Sequence, residues 1–170
     1  MYVEDIRLVY RCGKDDEFVF GLFAEDKIAE LHADSWPDRL KDRMVDMQFT
    51  AFESAMRSQY PDADDCIVMA GSVKAGRVYV YGNGKGYRIL YISLLPAFRG
   101  MGTGGRILKR IVSKADATRL PVCLEVDKVN PAVRLYRRFG FEIYTESAMK
   151  YFMKYVPQLP VPQSFVQAFQ

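Results

Sequence analysis

Between Leu95 and an apolar-periodic helix the chain reads PAFRGMGTGGRILKRIV, with Gly100, Gly102, Gly104 and Gly105 crowded into the turn. Glycines placed there bare the backbone where free N–H groups and the positive end of the helix dipole converge, which makes an anion-binding turn. Several unrelated nucleotide and cofactor sites present such a turn. Gly100, Gly102 and Gly105 satisfy GxGxxG, and Glu125 lies where a dinucleotide fold would place its ribose-binding acid. That fold, however, begins with its glycine turn directly after its first strand and needs several further parallel strands, for which too little chain follows Gly105. A P-loop is excluded because Arg106 and Ile107 stand where Lys and a hydroxyl residue are required.

The remaining chain reads as one mixed α/β layer around a single sheet. Strands are expected at 6–11, 66–70, 77–81, 87–95, 122–126, 141–145 and 149–156. Helices are expected over Asp15–Leu31 and Pro37–Gln59, the second with Leu40, Met44, Met47 and Ala51 on one face. Asn83-Gly84 between two strand-like runs signals a hairpin. Ile107, Leu108, Ile111, Val112 and Ala115 form the stripe of the helix after the glycines. Asn130-Pro131 opens a further helix through Phe139, and Gly140 ends it.

With 49% hydrophobic and 26% charged residues over 170 positions, the chain suits one domain over 1–156. The segment 157–170, with Pro157, Pro160 and Pro162, reads as an arm or tail. A net charge of +3 without a basic tract argues against a nucleic-acid partner. Cys12, Cys66 and Cys123 are widely spaced and His32 is the only histidine, so neither a disulfide framework nor a metal site is expected. The N-terminus MYVEDIRLVYR lacks the basic start of a signal peptide and no run is long enough to span a bilayer, so a cytoplasmic protein without a membrane partner is expected.

Arg99–Gly104 is RxxGxG, set after a strand ending LLP and before an amphipathic helix, and NPAVRLYRRFGF follows at Asn130–Phe141. In this order the two segments resemble motifs A and B of the GCN5-related N-acetyltransferase (GNAT) superfamily, from about Tyr87 to Tyr144. The resemblance implies a mixed sheet of six or seven strands, splayed between its fourth and fifth, with about four helices. It implies acetyl-CoA as cosubstrate and transfer of its acetyl group to an amine of a small molecule or protein by direct attack. It admits a homodimer. A non-catalytic acyl-CoA binding module is the alternative.

By the same resemblance, Ile92, Ser93 and Leu94 would pair through their backbones with the pantetheine arm. Arg99, Gly100, Met101, Gly102, Thr103, Gly104 and Gly105 would hold the pyrophosphate; attraction of the 3′-phosphate by Arg106, Lys109 or Arg110 is set against an ordinary solvated helix face. Tyr136 would be the general acid toward the CoA sulfur, a role a phenol with a pKa of about 10 can fill at neutral pH. Asn130 would contact the cofactor besides capping its helix. Glu125 is the candidate base, set against a plain surface pairing with Lys128. The Leu94 N–H would polarise the thioester carbonyl. Substrate choice would lie around Leu31–Met44, where His32, Asp34, Trp36, Asp38 and Asp42 cluster.

Overall fold

The computed structural model describes residues 6–158; of the expected arm, 159–170 lies outside them. Strands β1 (Ile6–Tyr10), β2 (Asp64–Ala70), β3 (Val73–Asn83), β4 (Gly86–Leu94), β5 (Val122–Asp127), β6 (Glu142–Glu146) and β7 (Lys150–Tyr155) form one sheet in the order β1-β2-β3-β4-β5-β7-β6. Helices α1 (Asp16–Glu30) and α2 (Asp38–Gln59) separate β1 from β2; α3 (Thr103–Thr118) joins β4 to β5, and α4 (Ala132–Arg138) precedes β6. Every strand pair is antiparallel except β4–β5. The hairpin is present, but its loop is Gly84-Lys85. Asn83 stays in β3 opposite Gly86, and its Oδ1 accepts the Lys85 N–H at 2.8 Å.

One extra residue in β4 shapes the middle of the sheet. Tyr79 pairs with Tyr91, but the next pair is Val80 with Ile89, so Leu90 has no partner on β3. Such a bulge bends its strand and sharpens the local twist. At the same point β4 leaves β5. The parallel register covers Tyr87–Ile89 against Val122–Leu124 and stops there, whereas β5 continues with β7 through Asp127.

Side-chain alternation sorts the helices onto two faces. Val122, Leu124 and Val126 of β5 join Leu108, Ala115, Val133, Tyr136, Phe141 and Met153 in one cluster, and Leu94, Val78 and Val68 join Ile107 in another. This is the α3–α4 face. The alternate positions of β4 turn the other way: the Tyr91 ring packs on Phe52 of α2, which continues through Phe23 and Phe49 into α1.

The inner face of α2 is not the expected one. Leu40 and Met47 are exposed at 52% and 69%, and Ala51 is exposed too, whereas Val45 and Glu53 are buried. The helix is turned by Phe49 and Phe52, which meet the α1 aromatics, and by Glu53, which must reach a cation inside the sheet. That cation is Arg77, fully buried on β3. Its Nε and Nη2 bind Asp65 Oδ1 and Oδ2 at 2.7 and 2.6 Å, its Nη1 binds Glu53 Oε1 at 2.7 Å, and its plane lies 5.0 Å from the Tyr79 ring centroid. Arg11 adds a second guanidinium, 2.7 Å from Glu53 Oε2 and 3.2 Å from Asp65 Oδ2. Burial works against the charge of Arg77, but the bonds from Asp65 and Glu53 outweigh it and keep the guanidinium protonated.

A buried ion pair adds little net stability when intact, yet losing one partner strands the other in a low-dielectric site. Glu53→Ala is therefore expected to cost about 3–5 kcal/mol, read from urea unfolding. A loss below about 1 kcal/mol would mean that Asp65 and Arg11 suffice to balance the site.

Candidate active site

Beyond Ile89 the edge of β4 that faced β5 has no strand beside it among the described residues. Leu95 donates its N–H to Ala75 of β3 at 2.9 Å. Bonding direction alternates along an antiparallel strand, so Ser93 also turns its peptide groups to β3 while Ile92 and Leu94 turn theirs into the gap. Of the three residues expected to offer backbone there, Ser93 is thus engaged by the sheet. The Leu94 carbonyl is partly satisfied as well, accepting from Arg99 Nε at 2.6 Å. Its N–H faces the gap.

The glycine turn follows directly. Gly100 and Gly102 have φ of +72° and +80°, a region that side chains with a Cβ rarely enter, and a Cβ on either would meet nothing within 4 Å. The backbone is therefore left-handed and open above both residues. Gly102 caps α3, which begins at Thr103 with its first N–H groups directed at the turn. Gly104 and Gly105 lie inside the first turn of α3, where a Cβ would come within 3.2 Å of Leu135 and 3.6 Å of Phe139. The bareness of Gly104 lets α4 approach α3, while a Cβ on Gly105 would make only an ordinary contact. Met101 is exposed, while Thr103 is buried with its hydroxyl lacking a hydrogen-bond partner among the described residues. An unsatisfied buried hydroxyl costs about 1–3 kcal/mol, and packing alone would favour Val there.

α4 brings Tyr136 into the cluster with Leu108, Leu124 and Val126. The ring lies 5.8 Å from Phe141, edge on, and 8% of the residue is exposed. Among the described residues nothing hydrogen-bonds its hydroxyl, and burial pushes the phenol up to about 12. Asn130 is exposed and its Oδ1 accepts the Ala132 N–H at 2.9 Å, so its side chain acts as the helix cap. Arg106, Lys109 and Arg110 lie in the first half of α3.

Glu125 projects from the side of β5 opposite Leu124 and Val126, hence away from Tyr136's cluster. Its carboxylate pairs with Lys150 of β7, not with Lys128, which binds Glu146 at 3.2 Å instead. The sheet explains the change of partner. Glu125 and Lys150 extend from neighbouring strands, whereas Lys128 leaves β5 by a turn held through its N–H to Met149. Glu125 keeps Lys150 protonated above the ordinary lysine range.

Sequence reasoning missed Asp26 and Tyr91. Asp26 of α1 accepts from Tyr91 Oη at 2.6 Å and from Arg99 Nη2 at 3.0 Å. Burial, then Asp26, raises the Tyr91 phenol and holds it neutral. No local motif links a mid-helix aspartate to a strand tyrosine 65 residues away; only the register of β4 could have found the pair. In the α1–α2 connection Trp36 is 36% exposed and Asp38 pairs with Lys41 at 3.0 Å.

Residues 62–143 match the family model of the acetyltransferase (GNAT) domain, which extends the likeness upstream of Tyr87 through β2 and β3. No curated protein matches the sequence. Among solved structures, the PaiA N-acetyltransferase of Thermoplasma acidophilum in complex with coenzyme A superposes with a TM-score of 0.68 at 16% identity, covering 89% of this chain and 99% of that one. A GNAT family acetyltransferase of Elizabethkingia anophelis with acetyl-CoA bound gives 0.57 at 14% identity, covering 90% and 99%. The ribosomal-protein-S18-alanine N-acetyltransferase of Escherichia coli gives 0.57 at 15%, covering 93% and 98%. These neighbours share the fold of this chain, and the family match places an acetyltransferase (GNAT) domain over residues 62–143.

Proposed function

We propose that the chain is an acetyl-CoA-dependent N-acetyltransferase that passes the acetyl group to a primary amine of a small molecule or protein by direct attack. The observation behind this reading is the continuity of one open surface. The gap-facing peptides of Ile92 and Leu94 lead straight into the left-handed glycines and the N-terminus of α3. An extended arm of amides ending in a pyrophosphate matches that sequence of donors, and the unpartnered Thr103 hydroxyl lies at its phosphate end. Acetyl-CoA supplies an activated thioester when bound.

The chain's own groups meet the other needs of the chemistry. The Leu94 N–H, fixed by the strand, is placed to donate to a developing oxyanion. Tyr136 holds a proton through neutral pH because burial disfavours its anion, and its hydroxyl has no competing partner. It is the proton donor to the departing thiolate. Glu125 is the candidate base on the opposite side of β5; an acceptor ammonium competes with Lys150 for its carboxylate.

The reading is tested by free-thiol release across a panel of amines and peptides with acetyl-CoA. Release with an acceptor supports it, whereas binding without release from any acceptor would favour an acyl-CoA binding module. Gly102→Val is expected to cost about 1–2 kcal/mol in the free protein, since its backbone is left-handed. It should also abolish the stabilisation of about 2.7 kcal/mol that acetyl-CoA gives at a hundredfold excess over Kd. Normal acetyl-CoA binding by a folded Gly102→Val protein would move the phosphates elsewhere.

Tyr136→Phe retains the ring and its packing, so folding and cofactor affinity are expected to be unchanged. Single-turnover rate should fall about 10²-fold. Because Tyr136 does not ionise below its raised pKa, the deficit should stay constant from about pH 6 to about pH 9. Equal rates for the two proteins would leave Tyr136 a core aromatic.

A further inference from the structure

Three elements that are distant in sequence converge on one carboxylate. Asp26 comes from the middle of α1, Tyr91 from β4 just past the bulge, and Arg99 from the residue that opens the glycine turn. Asp26 Oδ2 accepts from Tyr91 at 2.6 Å and Oδ1 from Arg99 Nη2 at 3.0 Å. Arg99 Nε, on the same rigid guanidinium, donates to the Leu94 carbonyl at 2.6 Å. The plane of Arg99 is thereby fixed at two corners. Its charge is already engaged, although it directly precedes Gly100.

From this geometry we infer that Asp26 is a positioning residue for the cofactor site: it clamps Arg99 against the Leu94 carbonyl and so sets the glycine turn in the conformation that receives the phosphates. The inference rests on the acetyl-CoA reading above. The clamp spans the interval between the end of β4 and the glycines. There the chain makes a short 3-10 turn at Pro96–Phe98, whose Phe98 packs on the core beside Leu94 and Ile107, but Gly100 and Gly102 have no side chains with which to anchor the loop. Tyr91 holds the carboxylate from beneath, and α1 joins the phosphate turn to the face carrying the α1–α2 connection.

Clamp and direct charge make opposite demands. Asp26→Asn removes a negative charge near an anion site, so electrostatics alone predicts tighter binding of coenzyme A. A clamp predicts weaker binding, because the ionised acceptor that orients Arg99 is gone. Arg99→Lys separates the two again. It keeps the cation but cannot bridge Asp26 and Leu94 as a planar fork does.

Dissociation constants for coenzyme A, measured by calorimetry on the full chain, decide the matter. Asp26→Asn and Arg99→Lys should each weaken binding at least about tenfold, the equivalent of one charged hydrogen bond. Asp26→Glu should recover part of the loss. Asp26→Asn added to Arg99→Lys should weaken binding little further, since both break the same clamp. The single-turnover rate at saturating acetyl-CoA should change much less than the affinity, which general damage to the fold would not produce. If Asp26→Asn lowers the ligand-free melting temperature too far to be read, Arg99→Lys, on a half-exposed side chain, decides alone. Wild-type affinity in Arg99→Lys, tighter binding by Asp26→Asn, or full additivity of the pair would overturn the clamp and leave the acetyl-CoA reading intact. Failure of the wild-type protein to bind coenzyme A would overturn both.

Discussion

Leu90 is one residue more than the β3–β4 ladder can pair, and the architecture of the site follows from it. The bulge turns β4 out of the plane it shares with β5, and the two strands separate after three residue pairs. Backbone groups inside a sheet need partners, so separation leaves the gap-facing peptides of Ile92 and Leu94 without a strand beside them among the described residues. The chain then spends only a short turn before α3, whose N-terminus adds further donors at the end of the same gap.

The two faces of the sheet are built by different physics. On the α3–α4 side the interior is aliphatic and aromatic, and Tyr136 is the polar tip of an otherwise apolar cluster. On the α1–α2 side a fully buried guanidinium is held between Asp65 and Glu53 and faced by Tyr79, Tyr91 and Phe52. Directional contacts of that kind fix one rotation of α2 where apolar packing would tolerate several. Tyr91 belongs both to the aromatic wall around Arg77 and to the Asp26 pair, so the charged interior and the glycine turn share a residue.

Much of this was legible in the sequence because it is written locally. The glycine turn, the amphipathic stripe of α3 and the Asn130 cap each depend on residues close together in sequence. The mixed sheet, parted between its fourth and fifth strands, was implied by the family resemblance of the glycine turn and Asn130–Phe141 together. The inner face of α2 was misread because Leu40, Met44, Met47 and Ala51 make a regular apolar stripe, while the true face includes Glu53, whose burial makes sense only once Arg77 lies beneath it. Glu125's pairing with Lys150 and the meeting of Asp26, Tyr91 and Arg99 are products of register and crossing, for which a linear pattern holds no mark.

The three-pair seam between Tyr87–Ile89 and Val122–Leu124 has a mechanical meaning. Four strands on one side and three on the other behave as two plates joined along a short hinge at one end of the gap. A small rotation about that hinge changes the width of the opening without breaking a rung of either antiparallel ladder. The stiffness of the cleft therefore resides less in the strands that border it than in α3, which connects the plates, and in α4, which packs closely against α3 over the bare surface of Gly104.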